Sequence, residues 1–418
     1  MKRITKSSIV PCLLLLVTTG YAQDLQPEKR DRIHSVRKVV DQVGKIDIKE
    51  VSEVDKVRKM FSEGTVSGQL RVMYSESPEP KNVYATAIGG IIKYELAEYH
   101  GFNAGAAVYT SFDMPFASGD DNKRYTDLSS SQTDHTDMSE AYVNYKYADL
   151  NLRAGRQVLD TPLADTDDIR MIQNSFEAYV ASYTLAGIEF MAGHLAKWHG
   201  TDAGLDDAWL KTGEKGTNFG GVAYADGLEF NAWYYNITEL TNAAYFDLGF
   251  EYSVSEELLL HAGVQYLNES ELDKSGVSAS IYGALFEVVA YDIGLNISFN
   301  KSDKREGKES FSGFGGGTLY TNMDTSILDE ITADRDSLAI VGGLSYHIKK
   351  FGFLYAYGDF NGDKNSLGKK MHVVEQDIGA GYNFNDEFVV ALMYVDFEDK
   401  KDSTNDWNRV QVMLNYNF

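Results

Sequence analysis

From residue 65 to residue 418, the chain is a succession of segments in which apolar and polar residues alternate. A period of two predicts β-strands that each have one apolar and one polar face. Most segments have the length of a tilted membrane strand, about 9–11 residues. The short 151–157 segment and the long 302–336 connection leave the strand count open by two. The eighteen predicted strands cover residues 65–74, 85–95, 102–112, 139–148, 151–157, 176–183, 188–198, 218–225, 228–237, 244–254, 258–267, 276–288, 291–301, 337–349, 351–360, 372–384, 388–397 and 408–418.

The last segment shows the pattern most clearly, with apolar residues at Val410, Val412, Leu414, Tyr416 and Phe418. An exposed edge strand of this kind promotes aggregation in a soluble protein. In an outer-membrane β-barrel it is the closing strand, with an aromatic residue at the lipid interface. The ending also resembles the C-terminal signature that the barrel-assembly machinery recognises. We predict an all-β fold, a transmembrane antiparallel β-barrel of about 18 strands over residues 65–418; the alternative is a buried last strand of a soluble sandwich.

The connections between the predicted strands are of two kinds. Short periplasmic turns and long extracellular loops are typical of bacterial barrels. Tight connections include 149–150, 226–227, 255–257 and 385–387, and long ones include 113–138, 158–175, 199–217, 302–336 and 361–371. An even number of strands then predicts that both ends of the barrel lie on the periplasmic side.

Residues 1–22 have the features of a secretory signal peptide. Cations at Lys2, Arg3 and Lys6 precede a short apolar stretch, and the only cysteine, Cys12, lies inside it. Residues 23–64 follow as a charged periplasmic arm. Valines at near-helical spacing predict a helical arm, whereas the density of charge predicts a disordered one.

Composition agrees with a barrel in the outer membrane of a Gram-negative bacterium. No segment after the signal peptide approaches 18 consecutive apolar residues, although the chain contains 27 Tyr and 21 Phe. The net charge of −23 argues against nucleic acid as a partner. The expected partners are outer-membrane lipid, lipopolysaccharide, the barrel-assembly machinery and small hydrophilic solutes.

One connection, residues 158–175, mixes charged and apolar residues in a way that a solvated loop does not. Asp165, Asp167, Asp168 and Arg170 alternate with apolar residues such as Met171. We predict that this loop folds into the lumen and forms the channel constriction. The three acids could instead cap backbone amides and pair with Arg170, so that they hold the loop in place.

The sequence around this loop resembles the OprD-type outer-membrane porin family. The resemblance rests on Gly155-Arg156-Gln157, on 161–171 (TPLADTDDIRM) and on 176–179 (FEAY), with weaker likeness at 64–71 and 101–109. It implies an eighteen-stranded channel that passes small water-soluble solutes passively, often carboxylates such as amino acids. The family places basic lumen residues opposite acidic loop residues. Alternation puts the candidates Arg71, Lys93, Lys146 and Arg153 on the inward face; the resemblance favours Arg156, which alternation puts outward unless Gly155 marks a bulge.

No cofactor and no catalytic residues are predicted. Asp202, Asp206 and Asp207 are weak candidates for Ca²⁺ ligands, but their spacing is not that of an EF-hand and a solvated acidic loop is favoured. The glycine run 313–317 lacks the lysine of a phosphate-binding loop and indicates flexibility. Two other classes of function remain open at this stage: a surface adhesin or structural barrel, and a barrel enzyme.

Overall fold

The computed structural model describes residues 53–77, 82–114, 118–119, 128, 134–205 and 208–418. The proposed signal peptide 1–22 and the first part of the arm, residues 23–52, lie outside the described residues. So do Asp206 and Asp207 of the proposed calcium ligands.

Eighteen antiparallel strands form a closed barrel, as the sequence predicts. Each strand pairs with its neighbours in the chain, and β1 pairs with β18 from Gln69 to Glu76, which closes the ring. Closure leaves no strand edge unpaired. The strands are β1 (Thr65–Ser77), β2 (Val83–Glu95), β3 (Phe102–Asp113), β4 (His135–Tyr147), β5 (Leu150–Gln157), β6 (Ser175–Leu185), β7 (Ile188–His199), β8 (Thr217–Asp226), β9 (Leu228–Ile237), β10 (Thr241–Ser255), β11 (Leu258–Glu271), β12 (Ser280–Ala290), β13 (Ile293–Ser302), β14 (Ser337–Ile348), β15 (Phe351–Gly362), β16 (Met371–Asn383), β17 (Phe388–Asp399) and β18 (Trp407–Asn417). A two-residue strand, Leu210–Lys211, pairs with β7 in the loop before β8.

Two strand boundaries differ from the predicted ones for identifiable reasons. β4 begins at His135, before the predicted 139, because a bulge lets β4 continue: Ala107 pairs with Glu140, whereas Tyr109 pairs with Asp137. β12 begins at 280, after the predicted 276, because the residues before it bond to the loop 303–336 through a parallel bridge at Val277.

Alternation in each strand separates a lipid face from a lumen face. On β1, Val66 and Leu70 are 61% and 54% exposed on the outer surface, whereas Gln69 and Arg71 are buried. The C-terminal Phe418 exchanges two backbone hydrogen bonds of 3.0 Å with Gly68. A side chain at position 68 would place its Cβ 2.1 Å from the carbonyl oxygen of Ile91, so glycine permits the close approach of β2.

The two ends of the barrel have different connections. At one end, two-residue turns join β4 to β5, β6 to β7, β12 to β13 and β14 to β15, and the first residue of each has a positive φ between 50° and 56°: Ala148, Ala186, Tyr291 and Lys349. At the other end lie the long connections, including 158–174 and 303–336. We call these the turn end and the loop end.

Helices are few and short in the described chain. They are α1 (Glu53–Ser62), the single turn α2 (Leu328–Ile331) and a 3₁₀ turn (Ser403–Asn405). Within the described residues, no helix has both the length and the apolar character needed to cross a bilayer. The end of α1 meets the barrel at its turn end, where Ala97 N donates to Met60 O at 3.0 Å and the Tyr94 hydroxyl donates to Phe61 O.

The first prediction concerns the arm. Deleting residues 23–60 should leave the barrel folded and conducting, because the two hydrogen bonds just described between α1 and the barrel contribute only about 1 kcal/mol each. Heat-modified mobility on gels and single-channel recording check this. Loss of the compact, heat-modifiable form in the deletion variant would show that the arm is part of the fold.

Candidate channel constriction

The loop between β5 and β6, residues 158–174, lies inside the barrel. It contacts two separate parts of the barrel wall. Met171 and Ile172 are fully buried in a cluster with inward residues of β1, β2 and β3. Leu163 belongs to a second cluster, and its backbone N–H donates to the hydroxyl of Tyr235 on β9 at 3.3 Å. Burial of these apolar side chains explains why a loop so rich in charge is not solvated.

Arg71 on β1 fastens this loop to the wall. Its guanidinium donates to both carboxylate oxygens of Asp168 at 2.8 and 3.1 Å, and also to the carbonyl oxygen of Arg170. The remaining donors reach Gln69 and Asn415 at 2.8 and 3.1 Å. The Arg71 side chain is 1% exposed, whereas that of Asp168 is 34% exposed. Arg71 is therefore saturated and buried behind the loop, and Asp168 is the member of the pair that faces open space.

A second loop, residues 303–336, also folds inward, which the sequence did not indicate. Its Asp324 is fully buried between Arg170 of the first loop, at 3.4 Å, and Arg409 of β18, which is in direct contact. Arg170 also approaches Gln411 of β18 at 3.4 Å. Arg170 is 7% exposed, so its charge is directed at Asp324 and not at the channel axis.

Two carboxylates of β16 also bind the loop 303–336. Glu375 accepts hydrogen bonds from the backbone N–H groups of Thr325 and Ser326 at 2.9 and 2.7 Å. Asp377 accepts from the backbone N–H of Asp324 at 3.2 Å. The segment around Asp324 is thus bound to both β16 and β18.

The two inward loops also bond to each other. Phe314 N donates to Leu163 O, and Asp165 N donates to Phe314 O, both at 3.0 Å. The neighbouring glycines allow the close approach, since a Cβ on Gly315, where φ is +105°, would lie 2.4 Å from Asp165 O. The interpretation of 313–317 as a flexible run was therefore wrong: these glycines pack tightly.

Asp165 and Asp167 are buried acids in this interface. Burial is the main cause that raises the pKa of Asp165 to about 6 and that of Asp167 to about 8, and the nearby carboxylate of Asp202 adds to both shifts. Asn174 donates to Asp202 at 2.6 Å and to the carbonyl oxygen of Asp165 at 3.2 Å. Asp167 also has a φ of 40°, a conformation that Asp and Asn tolerate better than most residues.

This cluster predicts that the loop is sensitive to pH. Both folded pKa values lie above the value of about 3.9 in an unfolded chain, so the packed loop is most stable at acid pH and loses stability as the pH rises through about 6 and then 8. We expect larger or more frequent opening at pH 8 than at pH 5. Asp167→Asn should reduce this difference, because Asn fits the same backbone without titrating. Single-channel recording at both pH values, with chelator present, measures it.

The control for that experiment is Asp386→Asn, at an exposed position in the turn between β16 and β17. It should keep the parent's pH response. A parent-like response in Asp167→Asn as well would show that the titration of Asp167 does not control the loop.

The basic candidates Lys93, Arg153 and Lys146 lie on one part of the inward wall, towards the turn end. Lys93 pairs with the buried Glu140 at 2.7 Å. Arg153 stacks on the ring of Tyr142 at 4.5 Å. Its Nε also donates to Asn144 at 3.2 Å. Lys146 is exposed at the end of β4. Among the described residues no carboxylate forms an ion pair with Arg153 or Lys146, so both charges are available to a solute. Of the two, Arg153 is the one held against an aromatic ring.

Arg156 lies apart from this group. It pairs opposite Ala141 and Glu177 in continuous register, so no bulge at Gly155 turns it inward. It remains on the outward parity at the loop end of β5, where its guanidinium stacks on Trp209 at 4.2 Å. Carboxylates of Asp137 and Glu177 approach it at 3.7 and 3.9 Å.

Acidic residues gather on another arc of the wall, on β9 to β12, and the sequence analysis did not select them. Glu229, Asp247, Glu251 and Glu287 have inward parity, as does His261, whose Nε2 lies 3.5 Å from Glu229. Asp247 lies near the middle of β10. The others lie in the half of their strand nearer the turn end, as Lys93 and Arg153 do. Inward parity alone could have identified them, because they alternate with outward apolar residues.

Of the three calcium candidates, the structure describes Asp202 alone. The Asp202 carboxylate is engaged by Asn174, and the other two aspartates lie outside the described residues. Within the described residues there is no group of three or more side chains arranged to hold a metal ion.

Residues 100–416 match the family model described as outer membrane porin, OprD family. The match covers most of the chain and includes both inward loops. The chain belongs to the OprD family of outer membrane porins. The long loops are therefore extracellular and the tight turns periplasmic, and both the barrel fold and the outer-membrane location predicted from the sequence are confirmed.

Solved structures of OprD-type porins share this fold at low identity. OccAB4 of Acinetobacter baumannii is 16% identical with a TM-score of 0.74, over 85% of this chain and 98% of that one. OpdK of Pseudomonas aeruginosa, determined with vanillate, is 15% identical with a TM-score of 0.70, over 85% and 99%. A BenF-like porin from Pseudomonas fluorescens Pf-5 is 11% identical with a TM-score of 0.71, over 85% and 99%. No curated protein matches the sequence.

Proposed function

We propose that this porin is a passive channel for small hydrophilic solutes and that it favours those bearing a carboxylate, amino acids among them. The observation that carries the proposal is Arg153, an inward cation that rests on the face of Tyr142 and has no described carboxylate partner. Such a guanidinium is held in position and keeps its charge for a passing anion.

The acidic arc on β9 to β12 supports the inclusion of amino acids. Opposed charges across a confined pore create a transverse field that water screens incompletely. A zwitterion can align with its carboxylate towards Arg153 and its ammonium towards carboxylates such as Glu229 and Glu287. A neutral sugar of similar size gains less from the same field.

The constriction is proposed to lie at the loop 158–174. Of the four residues predicted to form the constriction, Asp168 is the one with an accessible carboxylate, and its side chain is 34% exposed. Asp165, Asp167 and Arg170 are proposed to shape the constriction by holding the loop in place, because all three are largely buried there.

A carboxylate solute also agrees with one of the similar structures. OpdK was determined with vanillate, whose carboxylate is the type of group that Arg153 would attract. A structural barrel or an adhesin would instead need no conducting lumen.

The experiment compares two arginines of the same strand. Arg153→Gln should shift the reversal potential in a salt gradient towards cations and slow the uptake of a carboxylate solute several-fold in liposomes, while uptake of a neutral sugar changes little. Arg156→Gln, on the outward parity, removes the same charge and should leave both unchanged. Equal effects of the two substitutions would refute the assignment of Arg153. Folded barrels that insert without conductance would refute the channel itself.

A further inference from the structure

A pocket of about 290 Å³ lies at the extracellular ends of β13 to β16, next to the loop between β17 and β18. Its lining includes three cations and two carboxylates: Lys301, Lys370, Lys401, Asp336 and Asp363. We call it the rim pocket.

The rim pocket lies at the edge of the barrel wall, and part of its lining is on the outer surface. Lys301 pairs in register with Leu338, and Leu338 with Asn361, so that these three lining residues form a row across β13, β14 and β15. The alternate positions on these strands, Asn300, Ala339 and Phe360, are buried inside the barrel. The row therefore faces outward, away from any solute in the lumen.

The cations of this pocket are only weakly neutralised. Lys370 lies 3.8 Å from Asp363, and both side chains are more than half exposed. The Asp336 carboxylate accepts a hydrogen bond from the backbone N–H of Lys304 at 2.8 Å. No ion pair is found for Lys301 or Lys401 among the described residues, although Lys301 lies near the Tyr282 hydroxyl and the carboxylates of Asp303 and Asp336. An excess of positive charge at this site contrasts with a chain whose net charge is −23.

Apolar side chains continue from the pocket towards the membrane. Leu338, Ile340 and Leu344 follow one another on the outer face of β14 and are 38%, 46% and 43% exposed. A ligand with an anionic head and hydrocarbon chains would match both the lysines and this stripe.

We propose that the rim pocket binds the phosphorylated head of an outer-leaflet glycolipid, lipopolysaccharide by its chemistry, with the acyl chains along β14. Three facts carry the assignment: the row of Lys301, Leu338 and Asn361 faces outward, the pocket lies at the extracellular rim, and it joins a cationic surface to an apolar one. Lys301, Lys370 and Lys401 bind the phosphate. A solute in transit would not reach it, so this site is independent of the selectivity proposed above.

The test uses the full barrel in detergent and native mass spectrometry with bis-phosphorylated lipid A as the probe. Replacing Lys301, Lys370 and Lys401 with Gln should weaken binding at least tenfold, because each lysine near an anionic lipid surface adds to the attraction. The matched control replaces Lys211, Lys215 and Lys274, which lie in other extracellular loops, and should change binding less than twofold. Conductance and heat-modified mobility of both triple variants verify that the barrels are folded.

Two further probes identify the ligand. Lipid A without phosphates should bind the parent no better than it binds the pocket variant, and inorganic phosphate should displace lipid A only at concentrations far above that of the lipid. If both triple variants lose affinity equally, the attraction is general charge and the proposal is wrong. If free phosphate binds as tightly as lipid A, the site is a phosphate site and the lipid assignment is wrong.

Discussion

Replacing Arg71 with Met is expected to release the loop 158–174 and to raise single-channel conductance several-fold. The substitution leaves Asp168 without its bidentate partner and leaves the carbonyl oxygen of Arg170 without a donor. Breaking a fully buried ion pair from one side costs about 3–5 kcal/mol. The carboxylate left behind here is 34% exposed, so the cost should be smaller, but the temperature at which the folded barrel converts on gels should still fall.

Replacing both partners separates the contribution of the ion pair to stability from the contribution of side-chain packing. Arg71→Met combined with Asp168→Ala should destabilise the barrel less than the two single changes added together, because no carboxylate is left facing a vacant site. Additive effects would indicate that the two side chains do not interact in the membrane. A conductance equal to that of the parent would show that the loop is held in the lumen by its apolar contacts alone.

Asp324→Asn should have a comparable effect on the second inward loop, together with a change in selectivity. Asp324 is the carboxylate shared by Arg170 and Arg409, and its side chain is fully buried. Asn keeps the shape but leaves two buried guanidinium groups close together without the carboxylate that they share, at a cost of about 3–5 kcal/mol. We expect the segment to detach from β18 and the reversal potential to shift towards anions, because the uncovered arginines then face the channel.

The matched control is Asp303→Asn, an exposed acid at the start of the same loop. It removes the same charge and should alter neither the thermal conversion nor the reversal potential. A shift of equal size in this variant would show that the net charge of the loop, and not the Asp324 site, controls selectivity.

The barrel could be predicted from the sequence because every strand obeys one local rule. A strand between lipid and lumen must alternate, and strands such as β1 and β18 record that requirement in adjacent residues. The predicted start of β12 was wrong because a distant segment pairs with the residues before the strand: Val277 forms a bridge to the second inward loop. Alternation carries no information about such a partner.

Less of the candidate site could be predicted from the sequence. Asp165–Arg170 could be selected because charge and apolar residues are mixed within a few positions. Asp324 could not, since its importance depends on Arg170 and Arg409, which are remote from it in the chain. For Arg156 the alternation gave the correct face and the family resemblance did not, because similarity of a motif does not determine which way a side chain points.

The docking of the inward loops has a consequence for the joint between β1 and β18. Both loops are bound to this joint from within: Arg71 lies on β1, and Asn415, Gln411 and Arg409 lie on β18. Because these two strands are the most distant pair in the sequence, their association carries the largest loss of chain entropy. The loops therefore cross-link β1 and β18 at the joint where the strands would otherwise separate most readily. A barrel that opened laterally between these two strands would first have to release the inward loops that form its constriction.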